Sequence, residues 1–199
     1  EDLFGADPSC ARVHKKVGLF IMNALEAIMT RRSVRSYTGE SITRQQLQQI
    51  VAAGMQAPSA HGRCPWQMFT LTGREVMRRL IPLSPWWDML ETAAAAIIVC
   101  SDTRGQEDIS HEFQVDGCAA ATQNMLLAIH AMGLGGVWLG VCEGEENCAK
   151  FRECLGIPDY SKVVSMIAVG HPTEPVKPEE RMDPAKWFEE CWGNTVQDI

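Results

Sequence analysis

No stretch of this 199-residue chain holds the roughly 20 consecutive apolar residues that span a bilayer, so a membrane helix is not expected. Basic residues are in the minority: 18 Lys and Arg stand against 25 Asp and Glu, a formal charge of −7. That balance argues against a sequence-independent grip on nucleic acid, which needs a clustered basic surface, so any anionic ligand must be held locally. Cys-x-x-Cys is missing although there are eight cysteines. The nearest pairs, Cys142 with Cys148 and Cys148 with Cys154, lie six apart, which on one helix points them to different faces and argues against a zinc or iron–sulfur site. In a chain large enough to build a core without staples, reduced and mostly buried thiols are the expectation. Internal repeats and low-complexity segments are absent as well. A secretory signal is not expected either. Lys15 and Lys16 precede the apolar residues 17–29, but Asn23 and Glu26 interrupt them, Arg31 and Arg32 follow, and no small-residue cleavage pattern appears. A cytoplasmic protein is the expectation.

What is present supports one sizeable core: 46% of residues are apolar and 22% charged. Residues 1–21 carry no clear period and read as an extension, with Met22 a candidate start, while 22–199 read as a single domain. Asn23 opens a short helix through Leu25, Ile28 and Met29. Thr43 and Gln46 form a capping box ahead of a second helix that ends near Gly54. Residues 66–72 read as a strand, 74–80 as a helix, and Pro82 and Pro85 mark a loop carrying Trp86 and Trp87. The nearly continuous apolar run 93–100 fits a strand buried on both faces, hence a parallel or mixed sheet covered by helices. The longest helix is expected over 110–132, with Phe113, Gly117, Ala120, Ala121, Met125, Leu126 and Ile129 as its apolar face. A strand at 137–141, a helix from Glu145 to its stop at Gly156, and a last core strand at 162–169 follow. Asp183 as N-cap and Pro184 at the first helical position begin a terminal element bearing Trp187, Phe188 and Trp192, aromatics that need a surface to bury against.

Two segments carry candidate chemistry. Arg31-Arg32-Ser33-Val34-Arg35-Ser36-Tyr37 concentrates three guanidinium groups and two hydroxyls directly after a helix, donors that match phosphate oxygens; a solvated basic surface is the plainer reading of that run alone. The second, residues 57–66, is stiffened by Pro58 and Pro65. Its Ser59, His61 and the main chain around Gly62 can approach a flat polar ligand.

Taken in order, Arg-Arg-Ser-x-Arg, then Ala-Pro-Ser and Pro-Trp, a Gly-Leu-Gly turn after a long helix, and Gly170-His171-Pro172 followed by Arg181 resemble the nitroreductase family from about residue 23 to residue 192. The resemblance implies an α+β fold with a central mixed sheet covered by helices, a homodimer, and a tail, 173–199, reaching the partner as an arm. It implies FMN as cofactor and NADH or NADPH as reductant of a small-molecule electron acceptor. Arg31 and Arg181 would grip the FMN phosphate with help from Ser33. Arg32 would lie along the ribityl chain, and Arg35 would face the N1 and O2 edge of the ring. Pro58, Ser59 and His61 would border the ring from the partner. Trp138, Leu139 and Gly140 correspond to the stretch of main chain facing N5 and O4, although Trp138 reads equally well as a core residue.

Two departures stand out. Gly62 and Cys64 occupy positions where the family often has Asn and Gln or Glu, and the loop of Trp86 and Trp87 is too short for the longer helical lid of some members, which weakens an assignment to iodotyrosine deiodination. The implied activity is NAD(P)H-dependent, ping-pong reduction of nitroaromatic, quinone or related acceptors, with no catalytic side chain required because the flavin carries the chemistry. A flavin-consuming enzyme of the same fold and a non-catalytic flavin-binding protein are the alternatives.

Overall fold

Residues 22–105, 107–142 and 144–196 are described by this computed structural model, so the expected extension at 1–21 lies outside the described residues. Four strands, β1 (Trp66–Leu71), β2 (Ala95–Asp102), β3 (Gly135–Leu139) and β4 (Ser161–Gly170), form one sheet in the order β1-β2-β4-β3. In the inner strand β2, Ala96, Ile98 and Cys100 point into one apolar cluster, and Ala95, Ile97 and Val99 into another on the opposite face. Both faces are covered, which is why the run reads as continuously apolar. The inference from that run to parallel strands does not hold. Every pairing among the four strands is antiparallel, with Ile97 opposite Ile167 and Leu139 opposite Met166, and the parallel contact among the described residues is a single bridge between Ser33 and Gly136. Double burial comes here from helices packed on each side, not from βαβ crossovers.

Five α-helices are described: α1 (Ala24–Thr30), α2 (Arg44–Met55), α3 (Arg74–Leu80), α4 (His111–Ala131) and α5 (Glu145–Leu155). The Thr43–Gln46 capping box closes the start of α2 in both directions. Ser110 caps α4, and Gly156, at φ +66°, ends α5 in the left-handed conformation that needs no Cβ. Helices α2 and α4 cover one face through Ile50, Met125 and Ile129, whereas α3 and α5 cover the other through Met77, Leu80 and Phe151. Phe151 is fully buried edge-on to Trp87, 5.6 Å between centroids, a burial that contributes about 2–3 kcal/mol and fixes α5 against the loop beside the candidate site.

One residue of the expected apolar face of α4 is outside. Phe113 is exposed and Gln114, hydrogen-bonded to Ser101, takes the inward position; in α1 only Ala27 is buried while Leu25, Ile28 and Met29 face out. The expected terminal helix is a short 3₁₀ turn, Pro184–Lys186, with Asp183 as its cap. Beyond it Phe188 bridges Thr195 and stacks at 4.9 Å on Trp192, which is 90% exposed. Among the described residues no helix is long and apolar enough to cross a membrane.

Candidate functional site

Arg31, which caps the C-terminus of α1, opens an extended segment. Val34 donates its N–H to the Gly136 carbonyl at 3.0 Å, and Ser33 makes its bridge to the same glycine. The approach is close: a Cβ on Gly135 would stand 2.7 Å from Val34 Cγ1, so only glycine lets the segment lie on β3. At its far end Tyr37 is buried and its hydroxyl is shared between the Val34 and Ala168 carbonyls at 2.6 and 3.1 Å, with burial holding the phenol above its ordinary pKa. Thr38 donates to His171 at 2.9 Å, and Thr173 to the Ser36 carbonyl at 3.2 Å. The three arginines thus project from a backbone fixed to the sheet on two sides.

The cations gather at one end of the segment. Burial first, then the charges of Arg181 and Arg32, press the Arg31 guanidinium below its ordinary pKa. Arg32 donates to the carbonyls of Arg31, at 2.7 Å, and Glu179, yet its Nε is buried without a hydrogen-bond partner, with the Glu179 carboxylate 4.0 Å away. Arg181 donates to that carboxylate at 2.9 and 3.1 Å. His130, in the last turn of α4, joins the group. The single hydroxyl proton of Thr30 goes to the Glu26 carbonyl at 2.6 Å, so His130 Nε2, 2.8 Å away, is the donor to Thr30. Burial, then Arg31 and Arg32, hold His130 below its ordinary pKa against a smaller opposing pull from Glu26. An orphaned guanidinium nitrogen and mutually repelling cations are what an anion such as a phosphate would relieve.

Arg35 lies four residues further along, roughly 13 Å of extended chain. It lines a cavity of about 370 Å³ with Trp138, Leu139, Gly140 and the loop that carries Trp86 and Asp88. Trp138 is therefore a wall of the cavity, 37% exposed, and not a core side chain. The expected residues Arg31, Arg32, Ser33, Arg35, Trp138, Leu139, Gly140 and Arg181 all fall on this side of the molecule.

Pro58, Ser59 and His61 do not join them. Ser59, held by a 2.8 Å hydrogen bond from the Cys64 N–H, packs against Gly117 near the start of α4, whereas Gly136 packs against Ile129 near its end. At 1.5 Å per residue, those helix positions are roughly 18 Å apart. His61 and Cys64 both have positive φ, 52° and 49°, so the loop is sharply folded and turned outward.

The cysteines depart from expectation. Cys142 and Cys148 form a disulfide; Cys64 and Cys191 are exposed, Cys154 half-buried, and Cys100 and Cys118 buried, with burial pushing Cys118 up to about 12. The six-residue spacing misleads because Cys142 precedes α5. Its left-handed backbone, φ 66°, folds it back over the first turn of the helix. Residues that sequence reasoning missed are His130, Glu179, Asp88 and Met89. A histidine in the last turn of a helix and an acid two residues before an arginine are ordinary patterns, so no local signal marked them.

A family model described as "Nitroreductase family" matches residues 28–87 and 84–171. The chain belongs to the nitroreductase family. It is 36% identical over 171 residues to a protein of Archaeoglobus fulgidus provisionally described as an NADH dehydrogenase/NAD(P)H nitroreductase, covering 84% of this chain and 98% of that one. The crystal structure of a protein from Parabacteroides distasonis, provisionally described in the same words, superposes with a TM-score of 0.79 at 32% identity, over 86% of this chain and 100% of that one. A provisionally described nitroreductase from Desulfovibrio desulfuricans in complex with FMN superposes at 0.75 with 29% identity, over 86% and 98%. The α+β fold expected for a nitroreductase is the one observed.

Proposed function

We propose that this chain takes reducing equivalents from NADH or NADPH and hands them to a nitroaromatic, quinone or related acceptor, the two substrates using one cavity in turn. The observation that carries the reading is the pairing of a crowded cation cluster at Arg31, Arg32 and Arg181, where Glu179 pairs with Arg32 and Arg181 yet Arg32 Nε stays without a hydrogen-bond partner, with the cavity of Arg35 and Trp138, joined by the fixed segment 31–35. The protein is an NAD(P)H-dependent flavin oxidoreductase of the nitroreductase family, and its cofactor is FMN. When bound, FMN supplies the two-electron carrier between donor and acceptor.

The residues divide the work along the segment. Arg31 and Arg181 hold the phosphate with Ser33, Arg32 turns its orphaned Nε toward the polar chain between phosphate and ring, and Arg35 places a fixed cation at the N1 and O2 edge. The main chain of Trp138, Leu139 and Gly140 faces N5 and O4. Negative charge gathers near N1 on reduction, so the Arg35 guanidinium favours the reduced form. Pro58, Ser59 and His61 complete the ring site of the other subunit in a homodimer. Their distance from the arginines along α4 supports that, as do the exposed Leu25, Met29, Phe113, Trp187 and Trp192, which need covering. The tail reaching to the partner and a cytoplasmic location belong to the same reading.

The deciding experiment is a visible spectrum of the purified protein, followed by oxygen-free bleaching with NADH and NADPH and reoxidation by candidate acceptors. Colourless protein that takes up no FMN ends the proposal, and loss of the flavin itself during turnover replaces it with a flavin-consuming reaction. Arg35→Met, saturated with FMN, should show a midpoint potential lower by roughly 30–60 mV, the two-electron equivalent of about 1.4–2.8 kcal/mol. An unchanged potential by potentiometry removes the electronic role.

A further inference from the structure

We propose that the Cys142–Cys148 disulfide is a second two-electron redox centre, set against the wall of the flavin cavity, whose dithiol form reduces small-molecule disulfides. The inference rests on the cavity of Arg35 and Trp138 being the flavin site.

Position is the first argument. Cys142 follows Gly140 by two residues, so their Cα atoms are at most about 7 Å apart. Cys142 and Asn147 line a small cavity of about 40 Å³ whose other walls include Ser84, Pro85, Trp87 and Gly140, and those four residues also line the cavity of about 370 Å³. The disulfide and the proposed flavin site thus share a wall. Both cysteines are half-buried, open to a small reactant but not displayed as a surface.

Stapling is a poor explanation for the pair. The bridge joins residues with a sequence separation of 6, and closing so short a loop restricts the unfolded chain far less than tying distant elements together. Helix α5 already has its anchor in the fully buried Phe151 and its stop in Gly156. Cys142 meanwhile sits at φ 66°, a left-handed conformation that a non-glycine residue adopts at a cost, with Gly144 donating to the Cys142 carbonyl at 2.9 Å across the fold-back. Opening the bond lets that backbone relax, which favours the dithiol.

The chemistry balances in two stages. The S–S bond takes up two electrons and two protons, one proton arriving with the electron pair as the N5 hydrogen of reduced flavin and the other from water. It breaks into two thiols, and the flavin is left oxidised. In the outward stage one cysteine thiolate attacks a disulfide R–S–S–R and releases one thiol. The second cysteine displaces the other and restores the Cys142–Cys148 bond.

The test uses the full chain saturated with FMN, under nitrogen. NADH or NADPH is added until the flavin bleaches, the protein is unfolded into iodoacetamide, and the peptides containing Cys142 and Cys148 are weighed. Both cysteines should be alkylated in step with bleaching, and cystamine added before the alkylating agent should return both to the disulfide. A dithionite titration should consume twice the reducing equivalents that the flavin alone takes, and the Cys142→Ser, Cys148→Ser double variant should consume only the flavin's share. Complete bleaching with the disulfide intact, or thiols that persist in cystamine, overturns this proposal and leaves the oxidoreductase reading standing. A chain that binds no FMN overturns both.

Discussion

The segment that carries Arg31, Arg32 and Arg35 is bonded to β3 on one side and to the end of β4 on the other, whereas the arm that carries Arg181 is exposed nearly from 173 to 194. Both bring a guanidinium to the same place. In the first, the fold has already met the cost of ordering; in the second, Arg181 is positioned mainly by Glu179, an acid that competes with any incoming anion. A cation on a fixed strand delivers more of its attraction to a ligand than one whose backbone and charge partner must rearrange.

That contrast can be broken by substitution. Arg31→Ala should cost about 3 kcal/mol of FMN binding and Arg181→Ala about half as much, both read by fluorescence titration; equal losses would show the arm to be as well ordered as the strand. Next in size is Gly135→Ala, which pushes a methyl into Val34. It should cost about 2 kcal/mol of stability in urea unfolding and weaken FMN retention with it, while a harmless substitution would mean that the strand tolerates displacement. Glu179→Gln sharpens the comparison from the other side. Removing the competing acid should tighten FMN binding modestly, and weaker binding would make Glu179 a support of the site.

The smallest effect concerns protons. His130 is depressed in the folded chain, so as pH falls through the ordinary histidine value near 6.5 the unfolded state takes the proton first and stability declines. A phosphate bound where we propose would offset Arg31 and Arg32. FMN should therefore raise the His130 pKa in an NMR titration and draw protons onto the protein near pH 6. A downward move on binding would place the phosphate elsewhere.

Much of this was legible in the sequence because local chemistry and fold agree. Helix α3 and the Thr43 box follow from short-range rules, and eight of the candidate residues picked from the ordered arginine and glycine motifs lie on one side of the molecule, while Pro58, Ser59 and His61 from the proline motif do not. Strand direction was not legible, since a strand covered on both faces has the same composition whether its neighbours run parallel or antiparallel. Phe113 was misplaced because helical period alone cannot show that Gln114 would find Ser101 to bond. The disulfide escaped because its two cysteines straddle a helix start, where spacing no longer follows the helical period.

The strand order β1-β2-β4-β3 has a consequence during synthesis. β3 leaves the ribosome before β4, yet its antiparallel partner in the finished sheet is β4, which also covers the second edge of β2. Until residues 161–170 emerge, the nascent chain presents the apolar edge of β2 unpaired, a template for neighbouring chains on the same message. That edge is closed only when the last strand slides between β2 and β3.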